Sequence, residues 1–435
     1  MKGFYDHLKI EPDRCPEGCS ECEKACAKER GEGISGRIKP VHVEEGGFHG
    51  VLTCVQCSQP VCAQVCPTAA IAKSEVDGVV RIELEKCVGC GMCTVECPYG
   101  GVYVDALKGK AYKCDTCDGD PKCLGACTHE ALSFVKSRKV YDYLHEDIVT
   151  PGNTFCLGCA ADLAFRFMMR ILGGENCIVF GTPGCAANVT TAMMSTMPTK
   201  VTSVFCLMTD IPSVMTGTKR YFRKKGKDVT CVAFAGDGAT ADVGFQPLSG
   251  AAERGENLIY VCYDNEGYMN TGIQRSSTTP YRGWTTTTPA TGGGRGKQMA
   301  SKNIPLIMAA HGIPYVATAT PGHLEDFAQK IMKAKAVKDG LSYIHVFSPC
   351  PTGWRANPEN VIDICRMAVE TNYFPLWEME KGEWRITHQV RNPRPLQEFT
   401  RLMGRFSHLQ KADYEELKEL VDSRLRIIKR NAECE

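Results

Sequence analysis

The sequence has almost no net charge: 51 Lys and Arg stand against 50 Asp and Glu in 435 residues, a formal charge of +1. A chain so balanced lacks the basic footprint that holds a nucleic-acid backbone, so nucleic acid is not expected as a partner. No uninterrupted apolar run approaches the roughly 18–20 residues needed to cross a bilayer, and no membrane span is expected. The first dozen residues carry Lys2, Asp6, Lys9 and Glu11 and lack the apolar centre of a secretory leader. Low-complexity composition is missing as well. With 43% hydrophobic and 23% charged residues, this is ordinary globular material, long enough for two or three domains. These absences predict a soluble, cytoplasmic protein.

Cysteine, by contrast, is abundant: there are 26, and sixteen of them lie between Cys15 and Cys127. A disulfide framework suits short secreted chains, whereas clustered cysteines in a reducing compartment more often bind metal. The sixteen sort into quartets: Cys15, Cys19, Cys22, Cys26; Cys54, Cys57, Cys62, Cys66; Cys87, Cys90, Cys93, Cys97; and Cys114, Cys117, Cys123, Cys127. Each is three close cysteines and, after three residues, a fourth. Pro67 and Pro98 follow the second and third sets, and the third reads Cys-x2-Cys-x2-Cys-x3-Cys-Pro, the bacterial ferredoxin run. Three thiolates on one tight loop can wrap three corners of an iron–sulfur cube, while the fourth points toward a second cube. Gly89 and Gly91 would let that loop turn its backbone N–H groups toward sulfur. Zinc is the competing reading, but zinc sites are usually built from two Cys-x2-Cys pairs set roughly 12–20 residues apart.

The series resembles the four-cluster iron–sulfur subunits of the dimethyl-sulfoxide reductase and formate hydrogenlyase type, over about residues 14–134. That resemblance implies a ferredoxin-like α+β domain with four [4Fe–4S] clusters, the first set pairing with the fourth and the second with the third. The implied ligand sets are Cys15, Cys19, Cys22 and Cys127; Cys114, Cys117, Cys123 and Cys26; Cys54, Cys57, Cys62 and Cys97; and Cys87, Cys90, Cys93 and Cys66. The first set departs from the pattern, with three residues between Cys15 and Cys19 where two are usual.

Beyond the charged stretch 136–150 the character changes. Leu163, Phe167 and Ile171 recur at helical spacing in 160–172, and Gly173-Gly174 ends the pattern. Short apolar runs follow at 177–180, 201–207, 229–235 and 258–263, an alternation that predicts a parallel α/β sheet. The third run leads into Gly236-Asp237-Gly238, and the fourth ends at Asp264-Asn265-Glu266-Gly267. A diphosphate held through Mg²⁺ needs carboxylate, amide and carbonyl oxygens, with glycine where backbone meets phosphate. Gly-Asp-Gly with an Asn at the end of the next strand is therefore read as a thiamine diphosphate site.

Cys156 and Cys159, Cys185 in Gly-Thr-Pro-Gly-Cys, Cys350 in Ser-Pro-Cys-Pro-Thr-Gly-Trp and the string Asn270-Thr271-Gly272 extend the match. From about residue 154 onward, including Phe374-Pro375-Leu376 and Gly404-Arg405-Phe406, the chain resembles the thiamine-diphosphate (β) subunits of 2-oxoacid:ferredoxin oxidoreductases. The resemblance implies Mg²⁺ ligation by Asp237, Asn265 and the Gly267 carbonyl. It sets Gly236, Gly238, Ala239 and Cys185 against the cofactor, puts Asn270 and Thr271 at its reactive end with Asn270 as catalytic candidate, and gives Cys156, Cys159, Cys185 and Cys350 a fifth [4Fe–4S] cluster. The activity implied is coenzyme A-dependent oxidative decarboxylation of a 2-oxo acid, with electrons leaving one at a time. A four-cluster fusion resembles the NAD-linked aromatic branch acting on phenylglyoxylate; pyruvate or another 2-oxo acid is the alternative, and a non-catalytic electron-transfer subunit a further one that intact Asp237 and Asn265 argue against.

Cys159 is followed by Ala160-Ala161, where the family has Gly and then an acidic residue, and no glutamate for the aminopyrimidine is found. The chain is thus expected to work only with α/γ/δ-type subunits that complete the site, and with a flavin/NAD-reducing subunit or ferredoxin. The expected division is a polyferredoxin domain over 1–140, a linker over 141–153, the thiamine domain over 154–375 and a C-terminal extension over 376–435 ending in a helix at 412–429. Cys177, Cys206, Cys231 and Cys262 lie in apolar runs and read as small buried hydrophobes; Cys365 and Cys434 likewise have no partner at ligand spacing, and His311 and His345 read as core histidines. The Thr- and Gly-rich stretch 276–296 is a candidate active-site loop, with Arg275, Arg282 and Arg295 as candidate anion ligands.

Overall fold

A computed structural model describes residues 5–11, 14–30, 36–43, 48–57, 60–74, 76–137, 144–150, 154–190 and 199–432; Cys434 lies outside them. Contacts divide the chain into two units, residues 1–143 and 144–435.

Cysteine-bearing loops leave the first unit little chain for long elements. Strand β1 (Tyr5–Ile10) pairs antiparallel with β8 (Leu132–Ser137), and three hairpin-like ribbons lie between in sequence: β2 (Lys39–Val43) with β3 (Phe48–Leu52), β4 (Ile71–Lys73) with β5 (Val80–Ile82), and β6 (Val102–Asp105) with β7 (Lys110–Lys113). Helix α1 (Glu21–Arg30) is followed by the single turns α2 (Val61–Gln64), α3 (Met92–Val95) and α4 (Lys122–Gly125). Cysteine supplies much of the apolar packing. Cys62, Cys87 and Cys93 sit among Ala70, Ile71, Val80, Val102 and Ala111, while Cys22, Cys26 and Cys123 sit with Leu8, Ile38 and Leu132. A core of this kind depends on whatever the thiols bind.

The second unit is built on an eight-stranded sheet in the order β10-β9-β11-β12-β14-β13-β15-β16. Its strands are β9 (Cys177–Gly181), β10 (Thr202–Phe205), β11 (Thr230–Gly236), β12 (Ile259–Asp264), β13 (Tyr315–Ala319), β14 (Ser342–Phe347), β15 (Leu376–Glu380) and β16 (Glu383–His388). The first six in spatial order run parallel; β15 runs antiparallel to them, and β16 antiparallel to β15. Strands buried on both faces need helices on both faces. In β11 the side chains alternate, so Phe234 points to the face covered by α5 (Ala160–Leu172), its ring 5.0 Å from that of Phe165. Ala233 and Ala235 point the other way, into a core with Ile211 and Met215 of α6 (Ile211–Lys224) and Leu248 and Ala251 of α7 (Phe245–Glu253).

Helices α8 (Ile304–Ala310) and α9 (Leu324–Ala336) cover β13 and β14, followed by α10 (Val361–Glu370) and α11 (Lys411–Ala432). The expected stripe on α5 is only partly right: Leu163 is 37% exposed, and the helix instead buries a broad band of Ala164, Phe165, Met168, Met169 and Leu172. The chain beyond residue 375 does not stand apart, because β15 and β16 complete the sheet and Trp377 stacks on Trp384 at 4.7 Å. Helix α11 buries Leu417, Val421 and Ile428. Among the described residues no helix is long and apolar enough to cross a membrane.

Candidate functional site

Strands β11 and β12 are neighbours, with Gly236 opposite Tyr263, so both release the chain at the same edge of the sheet. In open parallel sheets this carboxyl edge is where ligands bind. At the end of β11, Asp237 is 1% exposed, and a π-helical turn over Gly238–Val243 follows. A Cβ on Gly238 would lie 2.4 Å from the Tyr268 ring, so only glycine fits there. Burial and then the neighbouring Asp264 charge raise the Asp237 carboxyl well above the usual carboxylate range.

The Asn265 carboxamide, at the end of β12, meets the Gly267 carbonyl oxygen at 2.8 Å and Asp237 Oδ1 at 3.0 Å. With the amide nitrogen in that corner these are hydrogen bonds. With the amide oxygen there, and Nδ2 turned to Cys185 Sγ at 3.9 Å, three oxygens converge with no proton between them. Two oxygens held cis by an octahedral Mg²⁺ at about 2.0–2.1 Å stand about 2.9 Å apart. One carboxylate, one amide and one backbone carbonyl at these spacings are a donor set that fits the ion.

The corner opens into a cleft of about 450 Å³ lined by Gly236, Asp237, Gly238, Ala239, Asn265, Gly267, Asn270, Thr271 and Cys185, together with Gly184 and Met208. The structure thus brings to one cavity every residue that the sequence assigned to the cofactor. Asn270 and Thr271 are exposed at its rim, and Asn270 Oδ1 lies 3.9 Å from Cys185 Sγ.

A second cleft, of about 800 Å³, is lined by Cys156, Cys159, Cys185 and Cys350, and it shares Cys185, Asn265, Met269 and Asn270 with the first. Burial pushes the Cys159 thiol up to about 12, helped by Cys350 and Cys156. Cys185 is raised by burial and then by Cys159, Cys350 and Cys156. Thiols held neutral by burial give up their protons only when a metal takes their place.

The first unit gathers its cysteines in the same way. Cys22, raised by burial to about 11, feels Cys15, Cys19 and Cys127; Cys123, raised by burial to about 12, feels Cys114, Cys26 and Cys117. Cys62, raised by burial to about 11, has Cys54, Cys97 and Cys57 around it, and Cys93 has Cys87 and Cys90. Cys66 and Cys97 both pack against the cluster that holds Cys62, Cys87 and Cys93. Backbone N–H groups donate to sulfur at Cys26 (from Arg37, 3.2 Å), Cys66 (from Ala70, 3.3 Å), Cys97 (from Gly101, 3.4 Å) and Cys87 (from Ala111, 3.4 Å). Gly353 does the same for Cys350 at 3.3 Å. Gly89 and Gly91 have φ of +68° and +79°, and a Cβ on Gly89 would strike the Gly109 carbonyl at 2.2 Å. Among the described residues no three His, Cys, Asp or Glu side chains crowd closely enough to grip a single ion.

Sequence reasoning missed the layer behind the corner formed by Asp237, Asn265 and Gly267. Thr278 Oγ1 lies 2.8 Å from Asp237 Oδ2 and 2.9 Å from Asp264 Oδ1. His345 Nε2 is 2.9 Å from Asp264 Oδ2, and the Tyr343 hydroxyl is 2.7 Å from His345 Nδ1. His345 is thus buried, as its apolar strand suggested, but it faces the site. Glu266 pairs with Arg405 and accepts from the Tyr373 hydroxyl at 3.0 Å, and the Arg405 guanidinium lies 3.5 Å from the centroid of Trp354. Two arginines of the 276–296 stretch meet a carboxylate of this chain. Arg282 and Arg295 both pair with the buried Asp413 at 2.9 Å, fastening the loop to α11.

Residues 183–346 match the thiamine pyrophosphate enzyme C-terminal TPP binding domain family, and residues 49–137 match the 4Fe-4S dicluster domain family. The chain is 39% identical over 443 residues to the β subunit of NADH-dependent phenylglyoxylate dehydrogenase of Aromatoleum evansii, covering 100% of this chain and 99% of that one. It is 44% identical over 279 residues to the pyruvate synthase subunit PorB of Methanothermobacter thermautotrophicus, covering 64% of this chain and 96% of that relative. A ketoisovalerate oxidoreductase subunit VorB of Pyrococcus horikoshii is 40% identical over 292 residues, covering 65% and 92%. With a cofactor cleft and a cysteine cleft meeting at Cys185 and end-to-end similarity of this kind, the chain belongs to the thiamine-diphosphate-binding β subunits of the 2-oxoacid oxidoreductases, in a form that carries an iron–sulfur domain ahead of the thiamine domain.

Proposed function

We propose that the chain, with partner subunits, converts phenylglyoxylate, coenzyme A and NAD⁺ into benzoyl-CoA, CO₂ and NADH. One observation carries the choice of substrate and acceptor. Similarity to the NADH-dependent phenylglyoxylate dehydrogenase β subunit runs through both units, whereas the pyruvate synthase and ketoisovalerate relatives match 64% and 65% of the chain. Thiamine diphosphate, when bound, supplies a carbon nucleophile and an electron sink for the decarboxylation, which no side chain offers.

The chain's own residues hold and orient. Asp237, Asn265 and the Gly267 carbonyl hold Mg²⁺; Gly236, Gly238 and Ala239 bring backbone to the diphosphate; Asn270 and Thr271 stand at the reactive end. Cys156, Cys159, Cys185 and Cys350 hold the first [4Fe–4S] acceptor, a reading supported by the residues that border both clefts. Four more clusters take Cys15, Cys19, Cys22 and Cys127; Cys114, Cys117, Cys123 and Cys26; Cys54, Cys57, Cys62 and Cys97; and Cys87, Cys90, Cys93 and Cys66. Separate α/γ/δ-type subunits bring the glutamate for the aminopyrimidine and part of the substrate and coenzyme A pocket, and a flavin/NAD-reducing subunit or ferredoxin receives the electrons, in the cytoplasm.

The test is turnover by the complex purified without oxygen. Coenzyme A-dependent NAD⁺ reduction should proceed with a kcat/KM for phenylglyoxylate at least tenfold above that for pyruvate or 2-oxoisovalerate. Preference for pyruvate would replace the substrate and leave the family unchanged. Five four-iron clusters require about twenty irons per chain with equal sulfide; about four would remove the N-terminal ligand sets.

A further inference from the structure

Asp237 turns one carboxylate oxygen toward Asn265 and Gly267, and its other oxygen is gripped from behind. Thr278 Oγ1 reaches Asp237 Oδ2 at 2.8 Å and Asp264 Oδ1 at 2.9 Å, and all three residues are 5% exposed or less. The hydroxyl has one proton to donate, and because Asp264 Oδ1 already accepts the Glu266 N–H at 2.8 Å, Asp237 Oδ2 is the oxygen that receives it. Thr278 is not free to choose its place. On one side Ser277 N donates to Asp242 Oδ2 at 3.2 Å, and on the other Thr279 Oγ1 donates to the Glu266 carbonyl at 2.7 Å. Lys297 Nζ, from the far end of the loop, donates to the carbonyls of Ser277 at 2.9 Å and Thr279 at 2.6 Å. Asp264 is held as firmly, by the Glu266 N–H at 2.8 Å and by His345. The loop therefore brings the Thr278 hydroxyl, with the Ser276 hydroxyl 3.1 Å from it, to a fixed point against the Asp237 carboxylate.

We propose that Thr278 is a positioning residue for the metal, setting the rotation of the Asp237 carboxylate so that Oδ1 faces Asn265 and the Gly267 carbonyl. This rests on reading that corner as the Mg²⁺ site. It makes cation affinity depend on the loop over 276–297 as well as on Asp237, Asn265 and the Gly267 carbonyl. Partners standing behind metal ligands typically change affinity about 10–100-fold when removed.

The experiment uses the complete complex, saturated with thiamine diphosphate, and titrates Mn²⁺ in place of Mg²⁺ by the EPR signal of the free ion. Thr278→Val keeps the shape and loses the hydroxyl, and should weaken Mn²⁺ binding about tenfold or more. Thr278→Ser keeps the hydroxyl and should stay within about threefold of the wild type. Iron content, unchanged in both, reports intact folding; where Thr278→Val loses iron, Thr278→Ala is read in its place against Thr278→Ser. Wild-type Mn²⁺ affinity without the hydroxyl overturns the proposal, and so does equal weakening with Ser and Val, which would mark a packing role. Asp237→Asn separates this from the reading beneath it. If that variant binds Mn²⁺ as tightly as the wild type, the metal site itself is wrong. If it loses Mn²⁺ while Thr278→Val retains it, only the positioning role falls.

Discussion

Cys185 stands where the cofactor cleft and the cysteine cleft meet, with Asn265 Nδ2 and Asn270 Oδ1 each 3.9 Å from its sulfur. Burial and three neighbouring cysteines make its thiolate costly without metal, so Cys185→Ser should remove the cluster and spare the fold. The expected loss is about four irons per chain and the EPR signal of the first acceptor, with thiamine diphosphate retained; a full iron count would take Cys185 out of the ligand set. Arg405 makes a contrasting case. It is 2% exposed, pairs with Glu266 and stacks on Trp354, so Arg405→Met would strand a buried carboxylate. Breaking a buried pair in this way costs about 3–5 kcal/mol, to be seen as a lower unfolding midpoint by denaturant titration. Arg405→Lys should recover part of this, keeping charge without the planar fork. Asp237, Asn265 and the grouping of the cysteines could be picked out as candidates because residue type and spacing along the chain carry that signal. Thr278, Asp264, His345 and Arg405 could not, because each owes its role to a partner brought near only by the fold. In the pair Glu266 and Arg405 the partners are 139 residues apart.

At the scale of elements, the apolar runs announced β9 to β12 within a residue or two; β9, β11 and β12 are buried on both faces and leave a continuous hydrophobic trace, while β10 lies exposed at the sheet's edge. Strands β15 and β16 left no such trace. β16 alternates exposed and half-buried residues at the sheet's edge, and Glu378 is buried only because Lys333, Arg385 and Tyr315 surround it. That edge also carries a titrating contact. His323, just before α9, meets His388 of β16 with ring centroids 4.7 Å apart. Burial first, and the second histidine after it, lower His323 to about 4. The folded value lies below the unfolded one of about 6.5, so the unfolded chain binds more protons between those pH values. The stability from this contact is therefore complete above pH 6.5 and is lost as pH falls toward 4, by about 1–3 kcal/mol after allowing for partial exposure. Hydrogen exchange in β15 and β16, corrected for its intrinsic rate, should quicken between pH 7 and 5 in the wild type and respond much less in His323→Phe. An equal response in both would place the acid sensitivity elsewhere.

The largest scale concerns what each unit can do without the other. Every residue assigned to the thiamine cleft, and all four cysteines of the cleft beside it, belong to residues 144–435, whose sheet and cores are built from that unit alone. Pyruvate synthase and ketoisovalerate relatives align with this chain over 279 and 292 residues and over nearly their whole length, so subunits of about the second unit's length occur in the family. The sixteen cysteines of the first unit sit in short helices and the loops around them with little other core, which suits carriers of electrons better than shapers of a substrate pocket. A chain lacking residues 1–143, assembled with the same partner subunits, should therefore release CO₂ from phenylglyoxylate in a single turnover within about threefold of the full enzyme. Its cluster at Cys156, Cys159, Cys185 and Cys350 should still be reduced by substrate, while steady NAD⁺ reduction falls at least about 100-fold, since the chemistry and the onward transfer reside in different units. Rapid-quench counting of CO₂ beside an NADH assay separates the two quantities. Should both fall together, the first unit would be needed to build the active site, and its four quartets could no longer be read as a wire alone.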